Sequence, residues 1–304
     1  MDMIMTASNY KVKTIAAVIC LAICTLSTAG FCADSGVLTF SGWSDQHVKT
    51  DGDGSHLIPA IDAMNNMPGT AYPTSIGGKV DEPNFVIGLG DITEWPTRAA
   101  CDTYEQLITK RLRYRSYDVA GNHDSGGLTP SPTIHDWLIK RHGALSYTFD
   151  KKGVHFIALY SKYDENLNNP AQPISQEALE HLRRDLAKVP KETPVVVATH
   201  LCLDAITNRD EFIDAFGDAN VVLVLGGHYH KATVNKYRGI NFVQLPSPAP
   251  GSPSEITVIR IESERLVAVP FDYEKGQWCA DPKKILDARI KGPRAKSATA
   301  TRSG

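Results

Sequence analysis

Neither sign of charge is in excess: 32 Lys+Arg stand against 34 Asp+Glu in 304 residues, a net charge of −2. A chain that held nucleic acid by bulk charge would need a basic surplus, so that class of partner is not expected. Cysteine is scarce, at 6 residues, and no C-x-x-C occurs beyond residue 29. This argues against a cysteine-based zinc knuckle and a thioredoxin-like redox centre. No Gly-x-Ser-x-Gly element is present, so there is no sign of a serine nucleophile on a strand-to-helix elbow. Internal repeats and a linker dividing the chain are also lacking. What is plentiful is apolar residue, at 42 %, with only 22 % charged, which excludes extensive disorder and suffices for a buried core.

The N-terminus reads as an address. Lys11 and Lys13 precede an apolar run from Ile15 to Leu26, and Ser27, Thr28 and Ala29 supply small residues for a cleavage site. That order is the order of a secretory signal peptide. The run is about 12 residues, short of the roughly 20 of a membrane span, so a removable leader over 1–29 is favoured over an uncleaved anchor. The expected location is secreted or periplasmic, with no stable membrane anchor. Cys32, Cys101, Cys202 and Cys279 remain beyond the leader, too widely spaced to define a disulfide framework. Residues 291–304 are small, basic and polar and read as a flexible tail. The domain is placed at 30–290.

Apolar strand-like runs recur at Val37–Phe40, Phe85–Leu89, Ser116–Ala120, His155–Tyr160, Val195–Thr199, Val221–Leu225, Ile240–Gln244, Ile256–Ile261 and Leu266–Pro270. Several are continuous rather than alternating, as strands covered on both faces should be. Helices are expected at His56–Met64, Cys101–Leu112, Thr133–Arg141 and Asp210–Phe216, and after the N-cap Ser175, with Leu179, Leu182 and Leu186 on one stripe. The Gly- and Pro-rich stretch Pro68–Pro83 and the proline cluster Pro246–Pro253 read as loops. The class is a single α/β domain.

Five polar clusters each follow an apolar run: Ser44-Asp45-Gln46-His47, Gly90-Asp91-Ile92-Thr93-Glu94, Gly121-Asn122-His123-Asp124, Thr199-His200 and Gly226-Gly227-His228-Tyr229-His230. Ligands in α/β sheets collect beyond the carboxyl ends of strands, so these tips can converge. In extended chain residues i and i+2 share a side, so Asp45 with His47, and His228 with His230, can face one ion. Imidazole and carboxylate are the usual ligands of zinc, manganese and iron. Each cluster alone is commonplace: Gly-Asn-His-Asp is also a good turn, and His200 could be a hydrogen-bonded core histidine. Their joint order is not. Of the 10 histidines, none lies before residue 47 and five fall in these clusters.

This ordered set resembles the calcineurin-like metallophosphoesterase superfamily over about Val37 to Tyr273. The resemblance implies a four-layer α-β-β-α sandwich and a dinuclear centre of divalent transition metal ions (Mn, Fe or Zn). By the same resemblance one ion takes Asp45, His47, Asp91 and His230, and the other takes Asp91, Asn122, His200 and His228. His123 becomes the catalytic histidine, with Asp124 orienting it. The implied activity is hydrolysis of a small phosphomonoester or phosphodiester by a metal-bridging hydroxide, with a catalytically silent binding scaffold of the same fold as the alternative. Glu94 stands where the family commonly has Asp, and Leu201 and Cys202 follow His200 where many members carry a proline nearby. No tyrosine occupies the Gly-Asp motif, which disfavours a tyrosinate-bound iron. Trp43, Trp95, Tyr229, the loop Gly126–Pro132 and the proline loop are candidates for the substrate rim.

Overall fold

Strands that are apolar on both faces need cover on both faces, and the chain provides it with two sheets packed together and helices outside each. The computed structural model describes residues 36–126, 130–163 and 170–291, all within one compact unit. The expected leader (1–29), nearly all of the expected tail, and part of the Gly126–Pro132 loop lie outside the described residues. The first sheet has seven strands in the order β12-β11-β10-β1-β2-β3, with β13 also paired to β11. They are β1 (Leu38–Trp43), β2 (Val86–Leu89), β3 (Ser116–Val119), β10 (Glu255–Ile261), β11 (Arg265–Asp272), β12 (Gln277–Trp278) and β13 (Leu286–Arg289). The second runs β4-β5-β6-β7-β9-β8, built from β4 (Tyr147–Lys151), β5 (Val154–Ala158), β6 (Val195–Ala198), β7 (Val221–Gly226), β8 (Thr233–Tyr237) and β9 (Ile240–Gln244).

Alternate residues of each strand feed different cores. In β2, Ile87 and Leu89 pack between the sheets, while Val86 turns to the helices. In β6, Val196 and Ala198 face the other sheet, and Val195 and Val197 face the opposite helical layer. Helices α1 (Ile58–Asn66), α2 (Arg98–Gln106) and α3 (Thr133–His142) cover the first sheet. Helices α4 (Gln176–Leu186) and α5 (Arg209–Asp214) cover the second. The result is the four-layer α-β-β-α sandwich.

Local signals account for several boundaries. The Ser175 hydroxyl accepts the Ala178 N–H at 3.3 Å and starts α4, whose Leu179, Leu182 and Leu186 are buried. The helix expected over Cys101–Leu112 begins earlier, at Arg98 behind its N-cap Thr97, and loosens into a π turn over Leu107–Arg111. Strands β4, β8, β12 and β13 were not anticipated. They are edge or terminal pairings with polar positions such as the half-buried Asn235 and the exposed Lys236, so they carry no continuous apolar run. The proline stretch is irregular, as its prolines lead one to expect, but its start is not at the surface: Leu245 to Ala249 are buried. The Pro246 carbonyl accepts the Ser44 N–H at 3.1 Å and the Ser247 hydroxyl donates to the Asp45 carbonyl at 2.6 Å, tying this segment beneath the first polar cluster. No helix among the described residues is long and apolar enough to cross a membrane.

One buried charge stands behind the parallel strands. Asp118 in β3 is fully buried and accepts hydrogen bonds from Tyr104 at 2.7 Å and Ser116 at 2.8 Å. Arg141 and His142 at the end of α3 each approach its other oxygen at 3.6 Å. Burial pushes this carboxyl up, but His142 and Arg141 outweigh it and hold its pKa below the ordinary value. The stability it contributes is therefore present above the unfolded carboxylate range and is lost as pH falls through the lowered folded value. Asp118→Ala leaves these partners buried around a void. It should cost about 3 kcal/mol, read as a lower urea midpoint at unchanged m; a midpoint within error of wild type would show that the network contributes nothing.

Candidate metal centre

The parallel strands β1, β2, β3, β6 and β7 end at one edge, and the five polar clusters follow there. Pairing continues past the strands: Asp45 N–H donates to the Gly90 carbonyl at 2.8 Å, His47 N–H to Asp91 at 2.9 Å and Val48 N–H to Ile92 at 3.0 Å. The backbone, however, is not the extended chain that the i, i+2 spacing called for. Asp45, His47, Asp91, His228 and His230 have φ of 53, 46, 51, 75 and 58°. Left-handed backbone in non-glycine residues costs about 1–2 kcal/mol each, and its concentration here marks geometry imposed by the surrounding packing.

The side chains gather into three overlapping groups: Asp45, His47 and His230; His47, Asp91 and His123; and Asp91, His200 and His228, with ligand atoms within 4.8 Å of one another in each group. His47 Nε2 lies 3.2 Å from His230 Nε2 and 3.8 Å from Asp91 Oδ2. His230 Nε2 is 3.4 Å from Asp45 Oδ1. His200 Nε2 is 3.3 Å from Asp91 Oδ2 and 3.0 Å from Asn122 Oδ1. The two histidines of the last cluster part company: His230 joins Asp45 and His47, while His228 joins Asp91 and His200. Asp91 belongs to two of the three groups.

Backbone carbonyls decide which way each ring presents its lone pair. The His200 Nδ1–H donates to the Leu89 carbonyl at 2.6 Å, and the His228 Nε2–H donates to the Pro170 carbonyl at 2.8 Å. A carbonyl only accepts, so each outer nitrogen carries the proton. The inner nitrogens, His200 Nε2 and His228 Nδ1, then face each other at 3.1 Å beside the Asp91 carboxylate. Facing lone pairs and a carboxylate call for a cation between them. Asp45 Oδ1 agrees: it is buried with no hydrogen bond of good geometry. The donor set of imidazole, carboxylate and one amide oxygen fits a divalent transition metal.

Electrostatics point the same way. Burial pushes the His200 imidazole down, but Asp91 and Asp45 outweigh it and raise it to about 9. Burial pushes Asp91 up, but His200 outweighs it and holds the carboxyl well below the usual range. Asp45 is likewise lowered, by the His230 contact against its burial. Burial and the neighbouring His200 charge push His228 down to about 4, and burial lowers His47. Without a metal, a proton on His200 is the cation that these carboxylates hold.

His123 stands at the mouth. Its N–H donates to Asp91 Oδ1 at 2.8 Å, and its Nδ1 lies 2.9 Å from the Glu94 carbonyl. Nε2 is 4.0 Å from Asp91 Oδ2. The ring packs edge-on against His47 at 4.8 Å and tilted against Trp95 at 5.0 Å. Asp124 does not orient this ring, contrary to the role expected for it. Both its oxygens are taken by the N–H groups of Gly121, Ile92 and Thr93 and by the Thr93 hydroxyl, at 2.8–3.2 Å. It staples the Gly-Asn-His-Asp turn to the Gly-Asp turn, and burial with the nearby Asp91 charge pushes its carboxyl up to about 7. Trp43 is fully buried and cannot line the rim, whereas Trp95 and Tyr229 are half-buried beside the histidines. Cys202 is buried, its thiol pushed up to about 11 by burial, as a packing residue would be.

Two glycines let the turns touch. A Cβ on Gly121 would fall 2.2 Å from Asp91 Oδ1, and one on Gly227 would fall 1.7 Å from Ser44 Oγ and 2.7 Å from Asp45 Oδ2. Gly227 is where the second sheet's turn meets the first sheet's, and His228 N–H donates to Asp45 Oδ2 at 2.9 Å across that seam. Gly227→Ala should destabilise the chain by about 2 kcal/mol, as overpacking does. The measurement is a urea melt of the metal-free protein; a change below about 0.5 kcal/mol would show that the seam yields freely.

No protein-family model matches the chain. The serine/threonine-protein phosphatase CPPED1 of Pongo abelii is 24 % identical over 212 residues, covering 61 % of this chain and 67 % of that protein. The Homo sapiens CPPED1 aligns with the same identity and coverage. Among solved structures, GAP50, the anchor in the inner membrane complex of Plasmodium, shares the fold with a TM-score of 0.57 and 15 % identity, over 85 % of this chain and 90 % of that one. With five motifs in order at one edge of a two-sheet sandwich, and phosphatases among the proteins it is similar to, the chain resembles the calcineurin-like metallophosphoesterase superfamily.

Proposed function

We propose that the chain is a metal-dependent phosphoric ester hydrolase that holds two divalent transition metal ions (manganese, iron or zinc) and cleaves small phosphomonoesters or phosphodiesters. The observation that carries this reading is Asp91: one buried carboxylate belongs to two groups of ligand atoms, with His47 and His123 in one and His200 and His228 in the other. Asp45, His47, Asp91 and His230 would hold one ion, and Asp91, Asn122, His200 and His228 the other. Bound there, such ions supply Lewis acidity, lowering the pKa of water and neutralising phosphoryl oxygens. His123 supplies the proton chemistry. With Nδ1–H fixed to the Glu94 carbonyl, the proton that comes and goes is the one on Nε2, at the mouth of the site. From there it can be given to the oxygen of the departing group. Asp124 and Glu94 keep the turn and the ring in place for that transfer.

The order of charges, apolar run and small residues before residue 30 favours an exported chain, so the substrate is read as an extracellular or periplasmic small ester. The anchor role printed for the similarly folded GAP50 keeps a second reading in view, a scaffold without turnover, since fold alone does not set function. The complete set of candidate ligands favours the enzyme.

The test is a panel of p-nitrophenyl phosphate and bis-p-nitrophenyl phosphate run with Mn²⁺, Zn²⁺ and Fe²⁺. Turnover with at least one metal, abolished by chelation, is expected. No turnover with any of them would favour the scaffold. His123→Ala should keep the metals, by elemental analysis, and lose about 10²–10⁴ in kcat; loss of metal instead would make it a ligand. His200 gives a pH signature. Its folded pKa is raised from 6.5 to about 9, so in the metal-free chain its contribution to stability is full below 6.5 and is lost as pH rises through about 9. Metal binding at pH 7 should expel that proton, seen by calorimetry in buffers of different ionisation enthalpy; an uptake heat independent of buffer would contradict the assignment.

A further inference from the structure

A cation follows the last ligand candidate directly. Lys231 comes after His230, is exposed, and pairs with no carboxylate among the described residues. It lines a groove of about 430 Å³ that opens on His228 and His230 and whose other walls include Tyr229, Ser252 and Pro253. Among the described residues no acidic side chain is in that lining. The Ser252 hydroxyl lies 3.5 Å from His230 Nδ1 and so marks where the groove joins the candidate ligands.

The neighbouring surfaces have the opposite sign. Beyond His228, past the Pro170 carbonyl that holds its ring, a groove of about 480 Å³ is lined by Asp204, Asp210 and Glu211. Arg209, whose guanidinium donates to the Ile206 and Asp204 carbonyls at 2.9 and 3.1 Å, and Arg238, 3.3 Å from Asp210, offset part of this charge and leave an acidic excess. On the His123 side the rim carries the exposed Glu94. A substrate with a second negative charge is repelled by both of these walls and attracted by the one that holds Lys231.

Resting on the phosphoesterase reading, we infer that the Lys231 groove is a specificity subsite for the part of the ester that is not cleaved, and that it selects phosphate esters bearing a second anionic group, phosphate or carboxylate, on that part. An ammonium on a flexible stem is a point charge and takes either group without demanding a planar partner. Because Lys231 is exposed, the preference is modest and salt-sensitive, about fivefold at low ionic strength.

Hydrolysis-resistant phosphonates test this without turnover. The metal-loaded full chain is titrated by calorimetry with butylphosphonate, 1,4-butanediphosphonate and 5-phosphonopentanoate. The two doubly charged ligands are expected to bind about fivefold tighter than butylphosphonate at low salt. Lys231→Ala should bring the ratio to about one, Lys231→Glu below one, and Lys231→Arg should keep it. Tighter binding of the diphosphonate alone, lost in Lys231→Ala, assigns the subsite to phosphate; of the phosphonocarboxylate alone, to carboxylate. Equal binding of all three by wild type, or a preference that survives Lys231→Ala, overturns the proposal. A preference that depends on Lys231 in a chain that hydrolyses no ester would keep the subsite and overturn the hydrolase reading, whereas hydrolysis without the preference does the reverse.

Discussion

The Asp91 carboxylate is the charge on which the site is built. It is 2 % exposed, and one of its oxygens takes the His123 N–H while the other faces His47, His123 and His200. A carboxylate so deeply buried stays ionised only because cationic or cation-seeking groups surround it. Every other feature of the edge serves that arrangement. The sheets bring five strand ends together, the carbonyls of Leu89 and Pro170 turn imidazole lone pairs inward, and Asp124 ties two turns at the spacing Asp91 needs.

The cost of this geometry is spread through the fold. Five candidate ligands sit in left-handed backbone, which Asp and His tolerate better than most side chains but which packing must still hold. The compensation comes from layers that are apolar on both faces and from contacts between turns that only glycine permits, at Gly121 and Gly227. Asp118, one strand along, shows the same principle away from the site: a buried charge kept by Tyr104, Ser116, Arg141 and His142.

The legible parts of the sequence were those with strong local cause. Continuous runs such as Val195–Ala198 could only be strands covered on both faces, and Ser175 ahead of a leucine stripe could only start a helix. The illegible parts were those where a neighbour decides. Strand β8, with Asn235 and Lys236, is a strand because β9 pairs with it, not because its own pattern alternates cleanly. The run from Leu245 to Ala249 is the loop its prolines suggest, but its burial was illegible because its partners, Ser44 and Asp45, lie some 200 residues away. Trp43 looked like a rim residue because it precedes a polar cluster, but the β1 pleat turns it into the helical layer, against Tyr104.

The sequence by itself determined the chemistry available: seven donors of metal-binding type, a mobile-proton histidine beside them, and the order in which strands would present them. It also carried the signal of family, because Gly, Asp, Asn and His at these intervals seldom coincide by chance. Only the tertiary structure decided how these groups are shared. It parted the His228 and His230 that their spacing alone would turn to one ion, put Asp91 in two groups as the family resemblance implies, and gave His123 to the Glu94 carbonyl rather than to Asp124. The reason is that backbone carbonyls, which every residue has and no sequence distinguishes, select the tautomer and direction of each ring, and which carbonyl lies near a ring depends on how the two sheets meet.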